Sequence, residues 1–367
     1  MNVKFVKSSV EGDIYKFTLS NLNVSYANAV RRTILSEIPI CVIQTETEVV
    51  NQCHIEINTS RLHNEILKHR LSCIPIHITE LDLLPDKYVL ELDMTNDTDN
   101  MVYVTTENFR IRNKANGNYL KDEEVKRIFP PNQKTNYYID FMRLRPKISD
   151  SIPGEQIKLS ADFSVSNAKN NSMYNVVSKC AYSNTKDDAK IVEKWEALEA
   201  KLRSEDVSNE ELQFKKKDFM ILDAQRIFVD DSFDFVIQTI GIYENDEIVK
   251  NACSILQNKF VDMIQSLESD TVPINISETT MDNCYDVILE DEDYTIGKVL
   301  EYILYEKFFV REKTLSFCGF KKFHPHDTRS TIRIAFNQRM DRNMVRQNMK
   351  IACVEAQEGF KNIFKLF

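Results

Sequence analysis

Three groups of side chains have types and spacings that chemistry can use. Asp230, Asp231 and Asp234 put three carboxylates in five residues, the raw material of a two-metal hydrolytic centre. His63, His69, Cys73 and His77 bring imidazole and thiol groups into one stretch, and His324 and His326 flank a proline. Arg31 and Arg32 stand side by side in "NAVRRTILSEIP", residues 28–39, a run that otherwise reads as buried helix. Each group also has a plainer reading. The histidines show no four-ligand pattern, and a turn between two strands accounts for "HPH". Two adjacent helical arginines point about 100° apart, so at least one is directed away from the core, where its stem can snorkel over apolar neighbours. The acidic run Glu290, Asp291, Glu292, Asp293 precedes a helix, where a cap is needed and negative charge is favoured; a calcium loop would require alternating ligands and a central glycine.

The rest of the sequence offers these groups little catalytic support. The seven glycines are scattered, so no glycine-rich loop exists to cradle a phosphate, and neither a nucleotide fingerprint nor a G-x-S-x-G elbow occurs. No residue is assigned a catalytic role and no cofactor is expected. A net charge of −9 argues against a surface built chiefly for phosphate backbone. The eight cysteines include no C-x-x-C, the nearest pair being Cys41 and Cys53, twelve positions apart. They read as small core residues of a reduced, intracellular chain with no signal peptide and no long apolar segment.

The elements that must position these groups follow from periodicity. Ala27, Val30, Ile34, Leu35 and Ile38 trace one face of a helix that Asn23 or Ser25 can cap and Pro39 ends. In "EDEDYTIGKVLEYILYEK", Ile296, Val299, Ile303 and Leu304 repeat the spacing of Ala27, Val30, Ile34 and Leu35, with Gly297 marking a close backbone approach. Two longer helices carry apolar stripes, Val249, Ala252, Leu256, Phe260, Met263 and Leu267 in one, Val345, Met349, Ala352, Ala356, Phe360, Ile363 and Phe367 in the other. Leaving either stripe in water would forfeit on the order of 10 kcal/mol, so the two are expected to pack together. Residues 79–152 alternate like strands, 185–219 read as a surface helix with a connector, and 271–283 as a linker.

The residues themselves resemble a family. "FTLSNLNVSYANAVRRTILSEIPICVI" is similar to the opening of the alpha-type assembly subunits of multisubunit RNA polymerases, including the third subunit of the eukaryotic enzymes. Glu65, His69, Arg70, Leu71, Ile74 and Pro75 in "NTSRLHNEILKHRLSCIPIHI" match its next motif. "GEQIKLSADF" and "DSFDFVIQTIGIYENDEIVKNACSILQNKF" resemble its closing strands and long dimerisation helix. The C-terminal portion is similar to the eleventh-type small partner, through "EDEDYTIGKVLEYIL" and "LSFCGFKKFHPHDTRSTIRI", where Phe320 replaces the usual tyrosine and His324 and Pro325 are in place.

The resemblance implies an α+β chain of two related dimerisation modules, one formed by 1–78 with 153–270 and the other by 284–367, the first interrupted by a β-rich insertion at 79–152. The family's insertion often holds a cysteine-ligated metal; these residues contain no cysteine, so no metal is expected. Fusion of two normally separate chains resembles the arrangement in large DNA viruses of eukaryotes, which implies a viral polymerase found in the virion and host cytoplasm, or in the nucleus if the source is cellular. The implied function is a non-catalytic platform within a DNA-directed RNA polymerase, a nucleotidyltransferase complex. Its docking residues for the two largest subunits would be Arg31, Arg32, Glu37, His69 and Arg70. A small tenth-type subunit is a further implied partner, DNA and RNA are reached only through the complex, and neither a membrane nor a homo-oligomer is expected. Two other readings stay open. One is a free-standing nucleic-acid-binding regulator, because residues 311–350 hold ten Lys or Arg against three Asp or Glu. The other is a metal-dependent hydrolase built on Asp230, Asp231 and Asp234.

Overall fold

The computed structural model describes residues 2–46, 50–149, 152–205 and 207–367 of a mixed α+β chain. The elements begin with β1 (Lys4–Glu11), β2 (Ile14–Ser20), α1 (Val24–Ser36), β3 (Ile40–Val42), β4 (Cys53–Asn58), α2 (Asn64–Ser72), β5 (Tyr88–Thr95), β6 (Val102–Thr105) and β7 (Arg110–Asn113). They continue with α3 (Asp122–Ile128), β8 (Asp140–Leu144), β9 (Gln156–Asp162), β10 (Ser164–Ser166), β11 (Val177–Lys186), α4 (Asp188–Ser204), α5 (Asn209–Ile221) and β12 (Phe228–Thr239). The last are α6 (Asn245–Glu268), β13 (Ile274–Ile276), β14 (Cys284–Glu290), α7 (Tyr294–Leu304), β15 (Leu315–Lys321), β16 (Arg329–Phe336) and α8 (Arg342–Phe364). Contacts gather the chain into two compact units, one of Met1–Thr33, Lys179–Gln238 and Val249–Phe367, the other of Ile34–Ser178 and Thr239–Ile248.

In the first unit the same strand–turn–helix design occurs twice. After β2 the chain turns through Asn21 at φ 61°, Asn23 accepts from the Ser25 amide at 2.9 Å, and α1 starts. After β14 it turns through Asp291 at φ 56°, Asp293 accepts from the Thr295 amide at 2.8 Å, and α7 starts. Asn and Asp tolerate the left-handed conformation because their short side chains bond locally. These landmarks lie 270 positions apart and pair Ala27 with Gly297. The apolar spacing had suggested Ile296 for Ala27, an offset of 269, so the turn geometry corrects that register by one residue. Gly297 is indeed a close approach, since a Cβ there would lie 2.1 Å from the Phe320 ring.

Two antiparallel sheets back these helices, in the orders β1-β2-β12-β11 and β13-β14-β16-β15. Phe17 and Leu19 of β2 pair in register with Phe235 and Phe233 of β12, and all four are buried. Helices α6 and α8 run antiparallel: Lys350 meets Glu268 near one end of the contact, Arg346 meets Asp270 beyond it, and Phe260 stacks on Phe360 further in, ring centres 5.9 Å apart. The stretch 185–219, expected as one helix and a connector, folds instead as the pair α4 and α5, which close around Ile191, Trp195 and Phe219 with Ala224 and Ile227. The expected linker 271–283 contributes β13, an edge strand on β14.

The second unit is built on a sheet in the order β4-β9-β5-β7, beside the smaller pairs β6-β8 and β10-β3. Its compact range is wider than the 79–152 segment, because β5 from inside that segment pairs along its length with β9 from outside it. The strands alternate as period-2 patterning requires, and Leu90, Leu92, Ile111, Phe141, Ile157 and Leu159 turn inward to one core. Helix α3 also lies within this segment, which reads in sequence as a β-rich insertion without a helix.

Gly297→Ala should destabilise the first unit by about 1–3 kcal/mol, since the methyl group cannot share space with the Phe320 ring. Chemical denaturation of the variant and of Gly297→Ala with Phe320→Leu measures this; the second substitution should recover part of the loss.

Candidate functional site

Arg31 and Arg32 occupy the third turn of α1, and the structure uses them differently. The Arg31 Nε and Nη2 both donate to Asn28 Oδ1, at 3.1 and 2.8 Å, one turn back on the same helix. The Arg32 Nε donates to Thr295 Oγ1 at 2.8 Å and its Nη2 to Asp293 Oδ2 at 2.5 Å. The guanidinium fork of α1 therefore closes on the capping turn of α7. Burial pushes the Asp293 carboxyl up, but the Thr295 amide and hydroxyl and the Arg32 charge outweigh it and hold the group below the ordinary aspartate range.

The neighbouring acids are tied down as well. Glu292 receives Lys259 of α6 at 3.3 Å, both side chains about four-fifths covered, and Glu290 pairs with Arg329 of β16 at 2.8 Å. The acidic run is thus a helix cap, as its position suggests, and also a joint reaching α1, α6 and β16. Periodicity could not assign this second role: Arg32 and Asp293 are 261 positions apart, and a single sequence does not say which cation a carboxylate meets.

Close by in the same unit is the seam of the long helices. Val249, Ala252, Leu256, Phe260 and Leu267 are buried on α6, with Met263 half-buried; Val345, Met349, Ala352, Ala356, Phe360 and Ile363 are buried on α8. Phe367, beyond the end of α8, is half-buried and sets its ring edge-on to Phe17 of β2, centroids 4.9 Å apart. Two residues here escaped the sequence reading, Tyr26 and Gly359, while Cys253 and Cys353 are buried as the small core residues expected of the cysteines. The Tyr26 ring lies 4.9 Å from that of Phe360, and a Cβ on Gly359 would come within 2.5 Å of it. Burial pushes the Cys353 thiol up to about 12 and the Cys253 thiol up as well, so both pack as small apolar groups.

Glu37, His69 and Arg70 belong to the second unit. Glu37 is half-exposed, and His69 and Arg70 are exposed on the last turn of α2. Arg70 is pinned there by Nε and Nη2 donating to the carbonyls of Phe141 and Asp140, each at 2.7 Å. The nearby ligand candidates do separate jobs. His63 caps α2, Cys73 is exposed, and His77 places Nδ1 2.9 Å from the Gly241 carbonyl, with burial holding its pKa below the usual histidine value. His324 and His326 build a turn in which the His324 ring accepts from the His326 amide. Asp234 accepts from Thr18 at 2.6 Å and Thr185 at 3.1 Å, so it serves the sheet and not a metal pair with Asp230 and Asp231. Among the described residues no group of three or more His, Cys, Asp and Glu side chains is placed to hold a metal ion. In the basic stretch 311–350, Arg329, Arg333, Arg346 and Lys350 are matched by Glu290, Asp286, Asp270 and Glu268 from outside it, which reduces the free positive charge.

The chain is similar to known proteins over most of its length. A family model described as the RNA polymerase Rpb3/Rpb11 dimerisation domain matches residues 16–260. The DNA-directed RNA polymerase subunit Rpo3 of Pyrococcus furiosus is 26% identical over 282 residues, covering 70% of this chain and 95% of that subunit. Rpo3 of Pyrococcus horikoshii is 26% identical over 291 residues, covering 73% and 99%. Subunit 3 of the Arabidopsis thaliana DNA-directed RNA polymerases II, IV and V is 39% identical over a shorter span of 67 residues, 18% of this chain and 19% of that one. With two sheet-backed helix sets joined through α1, α7 and the long helices, and a family model spanning well over half of its residues, the chain belongs to the Rpb3/Rpb11 dimerisation-domain family of RNA polymerase subunits.

Proposed function

We propose that this protein is a non-catalytic assembly platform of a DNA-dependent RNA polymerase in which the two partners of a dimerisation pair are fused in one chain. Residues 1–78 with 153–270 form the third-type module, 79–152 its insertion, 271–283 the link, and 284–367 the eleventh-type module. The observation that carries this reading is the antiparallel seam of α6 and α8, with Phe260 stacked on Phe360, which gives the first unit the character of a dimer interface closed within one polypeptide. Fusion makes that closure intramolecular, at an effective concentration that separate chains reach only by encounter. The relatives are named as polymerase subunits, which supports an intracellular role in transcription. The fused arrangement supports a viral source, with a small tenth-type subunit among the partners.

The platform offers the largest subunits Arg31 from α1 and, from the second unit, Glu37, His69 and Arg70. Arg32 is given a different part from Arg31: its fork is engaged by Asp293 and Thr295, so it clips the two modules together and leaves Arg31 for a partner.

Three measurements test this. Arg32→Lys, which keeps the charge and loses the fork, should lower stability by about 1 kcal/mol, a figure reduced for the partial exposure of the pair. Arg31→Lys should leave stability within about 0.5 kcal/mol of wild type yet reduce co-purification of the two largest polymerase subunits with a tagged chain from the native source. Full recovery of both subunits with Arg31→Lys would remove Arg31 from the docking surface, and recovery of the wild-type chain without them would remove the platform reading itself. Because the folded Asp293 carboxyl is held below its unfolded value, its contribution is complete above that unfolded value and is lost as pH falls through the folded one. Asp293→Asn preserves a good cap, so its stability deficit should be constant near neutral pH and shrink below about pH 4.

A further inference from the structure

The first unit contains a cleft of about 690 Å³ that none of the contacts above fills. It is lined by the first turn of α1, the start of β12, the α8 turn around Gly359, and a π-helical turn, Tyr305–Arg311, that continues α7. Six carboxylates line it, from Asp230, Asp231, Glu306, Glu312, Glu355 and Glu358, against two cations, Lys307 and Arg311. Lys307 is already engaged by Glu355 at 2.5 Å. The cleft therefore presents a clear surplus of negative charge.

Two further observations point to an occupant. Tyr26 lines the cleft at 3% exposure, and its hydroxyl has no hydrogen-bond partner among the described residues. That hydroxyl lies over Gly359, where a Cβ would come within 2.9 Å of the oxygen. The oxygen opens onto the cleft, so it is placed to accept an N–H from a ligand there. The π-helical wall accompanies it, a rare conformation that is frequent at functional sites. Next to the acids, the rings of Tyr26 and Tyr302 stand 6.3 Å apart and nearly perpendicular, and buried Leu22 and Ile303 add apolar surface.

We infer that this cleft binds an extended polypeptide segment bearing arginine or lysine side chains. The carboxylates pair with the cationic heads, the Tyr26 hydroxyl accepts a guanidinium or ammonium N–H, and the tyrosine rings with Leu22 and Ile303 receive the alkyl stems. The apolar lining and the size of the cleft favour a peptide over an isolated small cation. This site does not depend on the polymerase assignment, which stands or falls by co-purification of the large subunits.

The test is a fluorescence-anisotropy titration of the full-length chain with a fluorescein-labelled Gly-Arg-Gly-Arg-Gly peptide, at low and moderate salt. Tyr26→Phe keeps the ring and should weaken binding about threefold to tenfold. Asp231→Asn with Glu358→Gln should weaken it about tenfold and flatten its salt dependence. Glu193→Gln with Glu196→Gln, on the exposed face of α4, removes the same charge elsewhere and should change nothing. Circular dichroism confirms that each variant is folded. Absence of binding by the wild-type chain, equal weakening by the α4 pair, or displacement of the peptide by spermidine at the peptide's own affinity would each overturn the assignment.

Discussion

A long helix with one apolar face must have that face covered, and the arrangement of the first unit follows from the way two such helices cover each other. In the first unit α6 and α8 meet through the stacked rings of Phe260 and Phe360, beside the sheets β1-β2-β12-β11 and β13-β14-β16-β15. Small residues make the approach possible. Gly359 leaves room for the Tyr26 ring, Ala252, Ala352 and Ala356 are buried, and Phe260 stacks on Phe360. Cys253 and Cys353 belong to the same set, since thiols whose ionisation is suppressed by burial behave as small hydrophobes.

Apolar packing alone does not fix how two helices are rotated about their axes, and here the polar joint at residues 290–293 supplies that constraint. Asp293 must cap α7, so its position is set by the helix; Arg32 must reach Asp293 and Thr295 together, so the rotation of α1 is set by Asp293. Glu292 with Lys259 extends the arrangement to α6. Each pair is partly exposed and individually modest, but their geometries are mutually exclusive with a slipped register. The acidic turn therefore acts on specificity more than on stability.

What could be read from the sequence was what is local. The three-four spacing of Val249 to Leu267 and of Val345 to Ile363 does lie on buried helix faces, and Asn23 and Asp293 do sit at helix starts, because amphipathicity and capping depend on residues a few positions apart. The split of 185–219 into two helices was also written locally: Ser208 accepts from the Glu211 amide, and Ser followed three positions later by Glu is a recognisable start signal that the run of mixed charge obscures. The pairing of β5 with β9 was not legible, since the partner of an alternating strand is decided by the whole core it helps to enclose. The docking candidates divide in the same way. Arg31 and Arg32 look equivalent in sequence, and only a contact spanning more than two hundred residues distinguishes them.

The pairing of β2 with β12 also has a consequence for how the protein is made. Thr18 and Asp234 bond across 216 positions, and between them lies most of the second unit, Ile34–Ser178. At translation rates of about 5–20 residues per second, β2 waits on the order of ten to forty seconds for its partner strand. During that time one edge of the β1–β2 hairpin is open while Phe17 and Leu19 have no sheet to complete. The intervening chain can meanwhile gather its own core, whose residues between Cys41 and Phe163 have all left the ribosome well before β12. The order of closure thus differs from the order of synthesis: the segment that interrupts the first unit can condense early, and the unit that begins the chain closes only after β12 has emerged.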